Sequence, residues 1–154
     1  MSRVAKKKPP TKLSLTVQYA GGAQNTPTRA QFRRWIIVAL QREANITMRI
    51  VDEPEGRELN KNYRGKDCAT NVLTFVYDDA ELLSGDIVIC APVVKREAAA
   101  QHKDLLAHYA HLAIHAALHL QGYEHDNNAD AAEMEALEIA LMVKLGYPDP
   151  YRTK

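Results

Sequence analysis

The sequence predicts a single α+β domain in which a mixed four-stranded β-sheet is packed with about five helices. The order of patterns along the chain favours this class, because strand and helix patterns alternate first and three helices follow at the end. One helical segment, residues 105–121, is apolar on nearly every side except for a stripe of histidines, so we expect it to be buried against the sheet. The length of 154 residues suits one domain with its own core.

The first half of the chain is expected to form two strands, each followed by a helix. Apolar and polar residues alternate over Leu13–Tyr19 and again over Ile46–Asp52, as in half-buried strands. A threonine able to cap a helix begins the helical segment Thr28–Ala44. Its apolar face consists of Phe32, Trp35, Ile36, Ala39 and Leu40. After the second strand, a proline opens a polar helix in which Leu59 and Tyr63 are expected to point inward.

The second half is expected to form a pair of strands followed by three helices. The apolar run Val72–Tyr77 and the segment Asp86–Cys90 predict the strands, with a turn at Ser84–Gly85 before the second. One helix follows directly, and Asp104 can cap the next. The last predicted helix is Asp130–Leu145, which ends before a glycine and a proline. One face of this helix carries Met134, Leu137, Leu141 and Leu145.

Composition and charge are those of an ordinary globular protein. The net charge of +1 predicts no polyanion partner by itself, but residues 1–12 contain five basic side chains and no acid. We expect residues 1–12 to be a disordered basic tail, usually a solvated feature, with a weak contribution to nucleic-acid binding as the alternative. Cys68 and Cys90 are too few for a disulfide framework and are expected to be buried. No apolar run resembles a membrane span or a signal peptide, so we expect a cytoplasmic protein.

Histidines recur every fourth position at His111, His115 and His119 and therefore line one stripe of a helix. His115 and His119 are one turn apart, a span that a single first-row metal ion can bridge. Gly122 then stops the helix, which lets His125 approach from the side. Three protein ligands with one open position are typical of catalytic zinc, whereas structural zinc usually has four. The sequence therefore predicts a metal site at His115, His119 and His125.

The alternative for any single histidine on an apolar helix is a packing role, and the third histidine beyond the glycine favours the metal site. His111 lies one turn too far back for the same ion, so we interpret it as a supporting or structural residue, with a role toward substrate as the alternative. His102 and His108 are interpreted as surface or packing residues. Zinc proteases of the HExxH type carry a glutamate where this chain has Ala116, which disfavours peptide hydrolysis.

The polar loop Tyr63–Asn71 is a second candidate for function. Positive charge concentrates in and before it, and a guanidinium such as that of Arg64 can bind a phosphate with two parallel hydrogen bonds. The basic residues are Arg57, Lys61, Arg64 and Lys66. A solvated loop whose polar side chains make only turn hydrogen bonds is the alternative, and the pattern alone does not separate the two.

Three segments in order carry a resemblance to a known family: LNKNYRGKDCATNVLTF (59–75), GDIVICAP (85–92) and HLAIHAALHLQGYEH (111–125). Together with the C-terminal EMEALEIALMVKLGYPDPY, they resemble the YbeY family of bacterial endoribonucleases. The family's zinc ligands fall on His115, His119 and His125, and its functional arginine falls on Arg64. Two local departures, Glu124 before the third ligand and Ala116 after the first, remove no ligand.

The resemblance implies that residues 13–154 form a single metal-dependent endoribonuclease domain that cuts single-stranded RNA. In the family this activity serves maturation of the 16S rRNA 3′ end and ribosome quality control, which implies partners in the small ribosomal subunit and ribosome-associated proteins, and no membrane. We expect one Zn2+ per chain, with Ni2+ as an alternative, to activate a water or to assist the RNA 2′-OH. Arg64 would stabilise phosphoryl charge, and His111 is a candidate general acid. The alternative function is a zinc-stabilised, non-catalytic rRNA or ribosome assembly factor.

Overall fold

A computed structural model describes residues 12–22, 24–78 and 82–152. Its elements follow the expected order of strands and helices along the chain. They are β1 (Leu13–Tyr19), α1 (Arg29–Ala39), β2 (Ala44–Val51), α2 (Glu53–Arg64), β3 (Val72–Asp78), β4 (Leu83–Cys90), α3 (Ala91–Ala100), α4 (Leu105–Leu120) and α5 (Asn128–Lys144). The predicted α+β class is therefore confirmed. The predicted basic tail, residues 1–12, lies outside the described residues except for Lys12.

The sheet is mixed, with the strand order β1-β2-β4-β3. β1, β2 and β4 are parallel, whereas β3 pairs antiparallel with β4. β3 is therefore an edge strand, and it follows directly on the loop after α2. This arrangement leaves one long side of β3 without a partner strand among the described elements.

The two faces of the sheet bury different helices. On one face, alternate residues such as Ile46, Ile87 and Val72 pack with α1, α4 and α5 to form the main core. On the other face, Leu73 and Val88 belong to a smaller cluster that α2 covers. Because side chains alternate along a strand, α2 and α4 approach β3 from opposite faces.

The central helix α4 is buried, as predicted. Asp104 caps it by accepting a hydrogen bond from the backbone N–H of Ala107 at 3.1 Å. Tyr109 and Leu118 are almost fully buried, and α4 contacts α1, α3, α5 and the sheet. None of the helices in the described part of the chain is both long and apolar enough to cross a membrane.

Two element boundaries were predicted wrongly. The first helix ends at Ala39 rather than Ala44, because Leu40 already has an extended backbone and Ala44 is the first residue of β2. Ser84–Gly85 is not a turn but part of β4. A Cβ on Gly85 would lie 2.6 Å from the carbonyl oxygen of Phe75 and 2.9 Å from Leu120 Cδ2, so this glycine serves close packing between strand and helix.

Two predictions of burial also need correction. Tyr63 is 66% exposed, and the buried residues of α2 are instead Gly56 and Asn60. Cys68 is exposed, whereas Cys90 is buried as expected. On α5 the predicted face of Met134, Leu137, Leu141 and Leu145 packs against the main core, and Glu138 and Met142 are buried beside it.

Candidate metal centre

The structure brings the imidazoles of His115, His119 and His125 together. One potential ligand atom from each lies within 4.8 Å of the other two. The ring centroids of His115 and His119 are 4.7 Å apart, and that of His125 is 5.8 Å and 5.1 Å from them, respectively. His115 and His119 are partly buried on α4, whereas His125 is exposed. This is the grouping that the spacing predicts.

The turn that delivers His125 has a local cause. Gly122 has a φ of 100°, in the left-handed region that glycine adopts without strain. The backbone N–H of Tyr123 then donates to the carbonyl of Leu118 at 3.1 Å, and that of Gly122 donates to His119 at 3.0 Å. These bonds close the end of α4 and reverse the chain. His125 thus faces the last turn of the helix that carries the other two histidines.

Behind this group lies a buried carboxylate, that of Glu138 on α5, which is 0% exposed. It is hydrogen-bonded to His115 Nδ1 and to the hydroxyl of Tyr151. His111 Nε2 lies 3.4 Å from the same carboxylate. Glu138 therefore connects α4, α5 and the C-terminal segment at one point.

The charges around Glu138 explain how a carboxylate can remain there. Burial alone would raise its pKa, but hydrogen bonds from His111, His115 and Tyr151 hold the pKa of Glu138 at about 2. Burial and the hydrogen bond to Glu138 in turn raise the pKa of Tyr151. Glu138 is therefore ionised at neutral pH, and Tyr151 is the donor in their bond.

The contact with Glu138 fixes which nitrogen of His115 remains for a metal ion. Because Nδ1 is engaged by the carboxylate, Nε2 is the nitrogen left to bind an ion. Burial lowers the pKa of His119, and the neighbouring His115 lowers it further, which favours the neutral imidazole that metal binding requires. Among the described residues no fourth side chain joins the group. This donor set fits a first-row divalent ion with an open position.

A second group of potential ligands consists of His111, His115 and Glu138. Here Glu138 is already in direct hydrogen-bond contact with His115, which leaves no space for an ion between these two side chains. His111 is only 8% exposed and stands outside the three-histidine group, as its position one turn further back predicts. We interpret this second group as a hydrogen-bonded support for His115.

Arg64 is the last residue of α2 and is exposed. Gly65 follows it with a φ of 72°, which ends the helix and starts the loop to β3. Buried Asn60 anchors this loop by donating a hydrogen bond to the carbonyl of Cys68 at 2.7 Å. Since α2 and α4 lie on opposite faces of β3, Arg64 and the histidines approach this edge strand from different sides. A single cleft shared by them stays a prediction.

The two remaining histidines have no place in the three-histidine group. His102 is exposed. His108 is buried, and its Nε2 lies 2.9 Å from Glu97 Oε1, while Glu97 also accepts hydrogen bonds from Asn71. His108 thus joins α4 to α3 and to the start of β3, which is a packing role.

Sequence reasoning missed Glu138 and Tyr151. Glu138 lies four residues after Met134 and four before Met142, so it is a charged residue on an otherwise apolar helical stripe. A buried carboxylate needs partners, and that was the available signal for its role. Nothing local indicated which histidines those partners would be.

A family model and the sequences of known proteins both match this chain under the same description. The family model described as Endoribonuclease YbeY matches residues 22–146. A protein named Endoribonuclease YbeY from Aromatoleum aromaticum is 57% identical over 144 residues, which cover 92% of this chain and 94% of that protein. Another of the same name from Nitrosomonas europaea is 57% identical over 139 residues, covering 90% of this chain and 85% of that protein.

A solved structure supports the fold independently. The solution structure of a Thermotoga maritima protein is similar with a TM-score of 0.54 at 21% sequence identity. The similarity covers 90% of this chain and 99% of the other.

Proposed function

This chain belongs to the YbeY family of endoribonucleases, and from that membership we propose that it is a zinc-dependent enzyme that cuts single-stranded RNA in 16S rRNA 3′-end maturation and ribosome quality control. Family membership by itself supports a metal-dependent endoribonuclease in rRNA processing. The identity of the metal and the step in ribosome maturation belong to the proposal. The observation that supports a metal-dependent reaction at one site is the grouping of His115, His119 and His125. The ribosomal partners are part of the proposal.

Zinc is the ion that this donor set suits best. Three neutral imidazoles with no protein carboxylate leave the ion its full charge, and borderline nitrogen ligands suit zinc, with nickel as the alternative. When bound, such an ion lowers the pKa of water and offsets negative charge on phosphoryl oxygens.

Glu138 and His111 then have roles that follow from their contacts. Glu138 orients the ring of His115 and fixes its Nδ1–H. We assign His111 to the same support, because its Nε2 faces Glu138 and little of the residue is exposed. A general-acid role for His111 remains the alternative that a substitution can test. Arg64 would bind a phosphoryl oxygen of the RNA with its exposed guanidinium.

The test uses two single variants with matched controls. His119→Ala should lose metal binding and cleavage of a labelled single-stranded RNA, while still binding the RNA. Arg64→Ala should bind metal normally and cleave the RNA at least about 100-fold more slowly, as expected when one group that stabilises transition-state charge is removed. His102→Asn and Arg34→Ala change exposed residues outside the proposed site and should match the unmodified protein.

The outcomes separate this function from its main alternative. Cleavage that survives in His119→Ala would contradict the role of the three histidines. If the unmodified zinc-bound protein binds RNA tightly but leaves it intact, the non-catalytic assembly factor replaces the nuclease. His111→Gln adds the remaining information, since loss of kcat with unchanged metal affinity would identify a proton-transfer role for His111.

A further inference from the structure

Several large apolar side chains are exposed close together near the end of the edge strand β3. Tyr63 at the end of α2 is 66% exposed, Tyr77 is 68% exposed and Val76 is 47% exposed. Leu82, just before β4, is also exposed. A concentration of exposed apolar residues on a small domain is characteristic of an interaction surface.

The aromatic rings among them lie on one face of the sheet. The ring centroids of Tyr63 and Phe75 are 4.9 Å apart in an edge-on arrangement. The hydroxyl of Tyr77 donates to Asp86, which is the β4 residue directly opposite Phe75. Because directly paired residues share a face, Tyr77 is on the same face as Phe75 and Tyr63. The register shift between Val76 and Asp78 accommodates this position of Tyr77.

Basic residues border the ring of Tyr63, whereas Tyr77 contacts Asp86. Arg64 directly follows Tyr63, and Lys66 lies two residues further along the same exposed loop. Asp67, the acid of this loop, is paired with Arg57 through two hydrogen bonds of 2.7 Å and 3.0 Å. That pairing offsets its negative charge and leaves the loop's surface positive. Exposed aromatic rings beside positive charge are the combination that binds single-stranded nucleic acids.

The patch lies directly behind the end of the histidine helix. Leu120, the last residue of α4, reaches the sheet where Gly85 on β4 approaches the carbonyl of Phe75. The turn that carries His125 starts right after this residue. The end of α4, which carries His119 and leads to His125, is thus at the level of Phe75 on the face of the sheet opposite the rings, and β3 is the edge strand. A single-stranded chain that crosses this edge would reach both.

We propose that Tyr63 and Tyr77 form a stacking surface for bases of the single-stranded RNA that flank the cleaved bond. This inference rests on the proposed function for its substrate. Single strands have unpaired bases whose faces can stack on the two rings, whereas the bases of a duplex are already stacked. The surface would therefore contribute to the preference for single-stranded RNA while Arg64 and Lys66 bind its backbone.

Binding of RNA to metal-free protein tests the surface without any cleavage. The probe is a short fluorescein-labelled oligouridine, followed by anisotropy, with a duplex RNA of equal length in parallel. Tyr63→Ala and Tyr77→Ala should each weaken binding of the single strand by about 5-fold or more, as for loss of one base-stacking contact. Binding of the duplex should change little. Tyr63→Phe and Tyr77→Phe keep the ring and should bind within about 2-fold of the unmodified protein.

Val143→Ala is the matched control, because Val143 is an exposed apolar residue on α5. It should leave binding unchanged, and thermal unfolding of every variant checks that the fold is intact. With zinc restored, the alanine variants should raise KM for the single strand while kcat stays close to normal. This split distinguishes substrate binding from a defect of the metal site.

Two results would overturn the proposal. One is unchanged affinity for the single strand in both alanine variants. That result would rule out the stacking surface without contradicting the proposed metal-dependent cleavage. The other is an alanine variant that dissociates a dimer in sedimentation without a change in RNA affinity, which would assign the patch to a second copy of this chain. If the unmodified protein does not cleave RNA, the proposed function fails, whereas the binding comparison still decides the role of the rings.

Discussion

The carboxylate of Glu138 on α5 is hydrogen-bonded to Nδ1 of His115 on α4, and the side chain of Glu138 is fully buried. The two residues are separated by 23 positions in the chain, so the docking of α5 onto α4 fixes the orientation of this imidazole. Carboxylates that bind the second nitrogen of a metal-ligating histidine orient the ring and strengthen it as a ligand. The relationship connects the packing of the C-terminal helix to the chemistry of the site.

Removing this carboxylate should weaken metal binding. Glu138→Gln replaces a charged acceptor with a neutral amide, and we expect zinc affinity to fall by about 10–100-fold. The measurement is competition with a chromophoric chelator. Glu133→Gln changes an exposed glutamate on the same helix and should have no effect. Equal zinc affinities of Glu138→Gln and the unmodified protein would contradict the role of Glu138.

The glycine in β4 should tolerate no side chain. In Gly85→Ala the new Cβ would lie 2.6 Å from a backbone oxygen of Phe75, so the strand pair must shift. We expect the free energy of unfolding to fall by about 1–3 kcal/mol, as for overpacking of a core. Urea unfolding measures it, with Ser84→Ala as the neighbouring control. A stability equal to that of the unmodified protein would show that the strand and α4 separate easily at this point.

The buried Asn60 should hold the loop after Arg64 in a fixed conformation. Asn60→Ala removes the hydrogen bond to the carbonyl of Cys68, at a cost of about 1–2 kcal/mol. We expect faster proteolysis and faster amide exchange within residues 65–70. Asn62→Ala, an exposed change on the same helix, should leave both unchanged. Unaltered exchange in Asn60→Ala would mean that other contacts hold the loop.

Stability should fall in mild acid because of His108. Burial lowers the pKa of His108 from its usual 6.5, although Glu97 opposes this effect. Below about pH 6.5 the unfolded chain therefore takes up a proton at this residue more readily than the folded protein, and the free energy of unfolding decreases as the pH falls. His108→Gln should show a smaller loss between pH 7.5 and pH 5.5 than the unmodified protein in urea unfolding.

The control for this comparison is His102→Asn, because His102 is exposed and has a positive φ of 53° that asparagine tolerates. Its pH dependence should equal that of the unmodified protein. If His108→Gln loses as much stability between pH 7.5 and pH 5.5 as the unmodified protein, groups other than His108 cause the loss.

Local patterns predicted most of the elements and the grouping of the three histidines. Helical periodicity places His115 and His119 on one stripe, and a glycine that ends the helix is a local signal for the turn to His125. The strand and helix patterns likewise depend on residues close in sequence. These features could be predicted because each is determined within a few residues.

Features that depend on distant contacts could not be predicted. Gly85 resembled a turn residue in the sequence, but the reason for it is the close approach of the Phe75 carbonyl on β3, with Leu120 of α4 beside it. Tyr63 resembled an inward anchor, but α2 turns Asn60 inward instead. In the sequence Glu138 is a charged residue on an apolar stripe, and only the structure shows that His111 and His115 on α4 are its partners. The assignment of catalytic roles to Arg64 and His111 stays a prediction for the same reason.

The most direct test of the central claim is to add zinc stepwise to metal-free protein and to measure cleavage of a labelled single-stranded RNA at each step. We expect no cleavage without metal, a linear rise with added zinc and a plateau at one equivalent per chain, with His119→Ala inactive throughout. Full cleavage by the metal-free protein, or cleavage by His119→Ala equal to that of the unmodified protein, would contradict a metal-dependent endoribonuclease site at His115, His119 and His125.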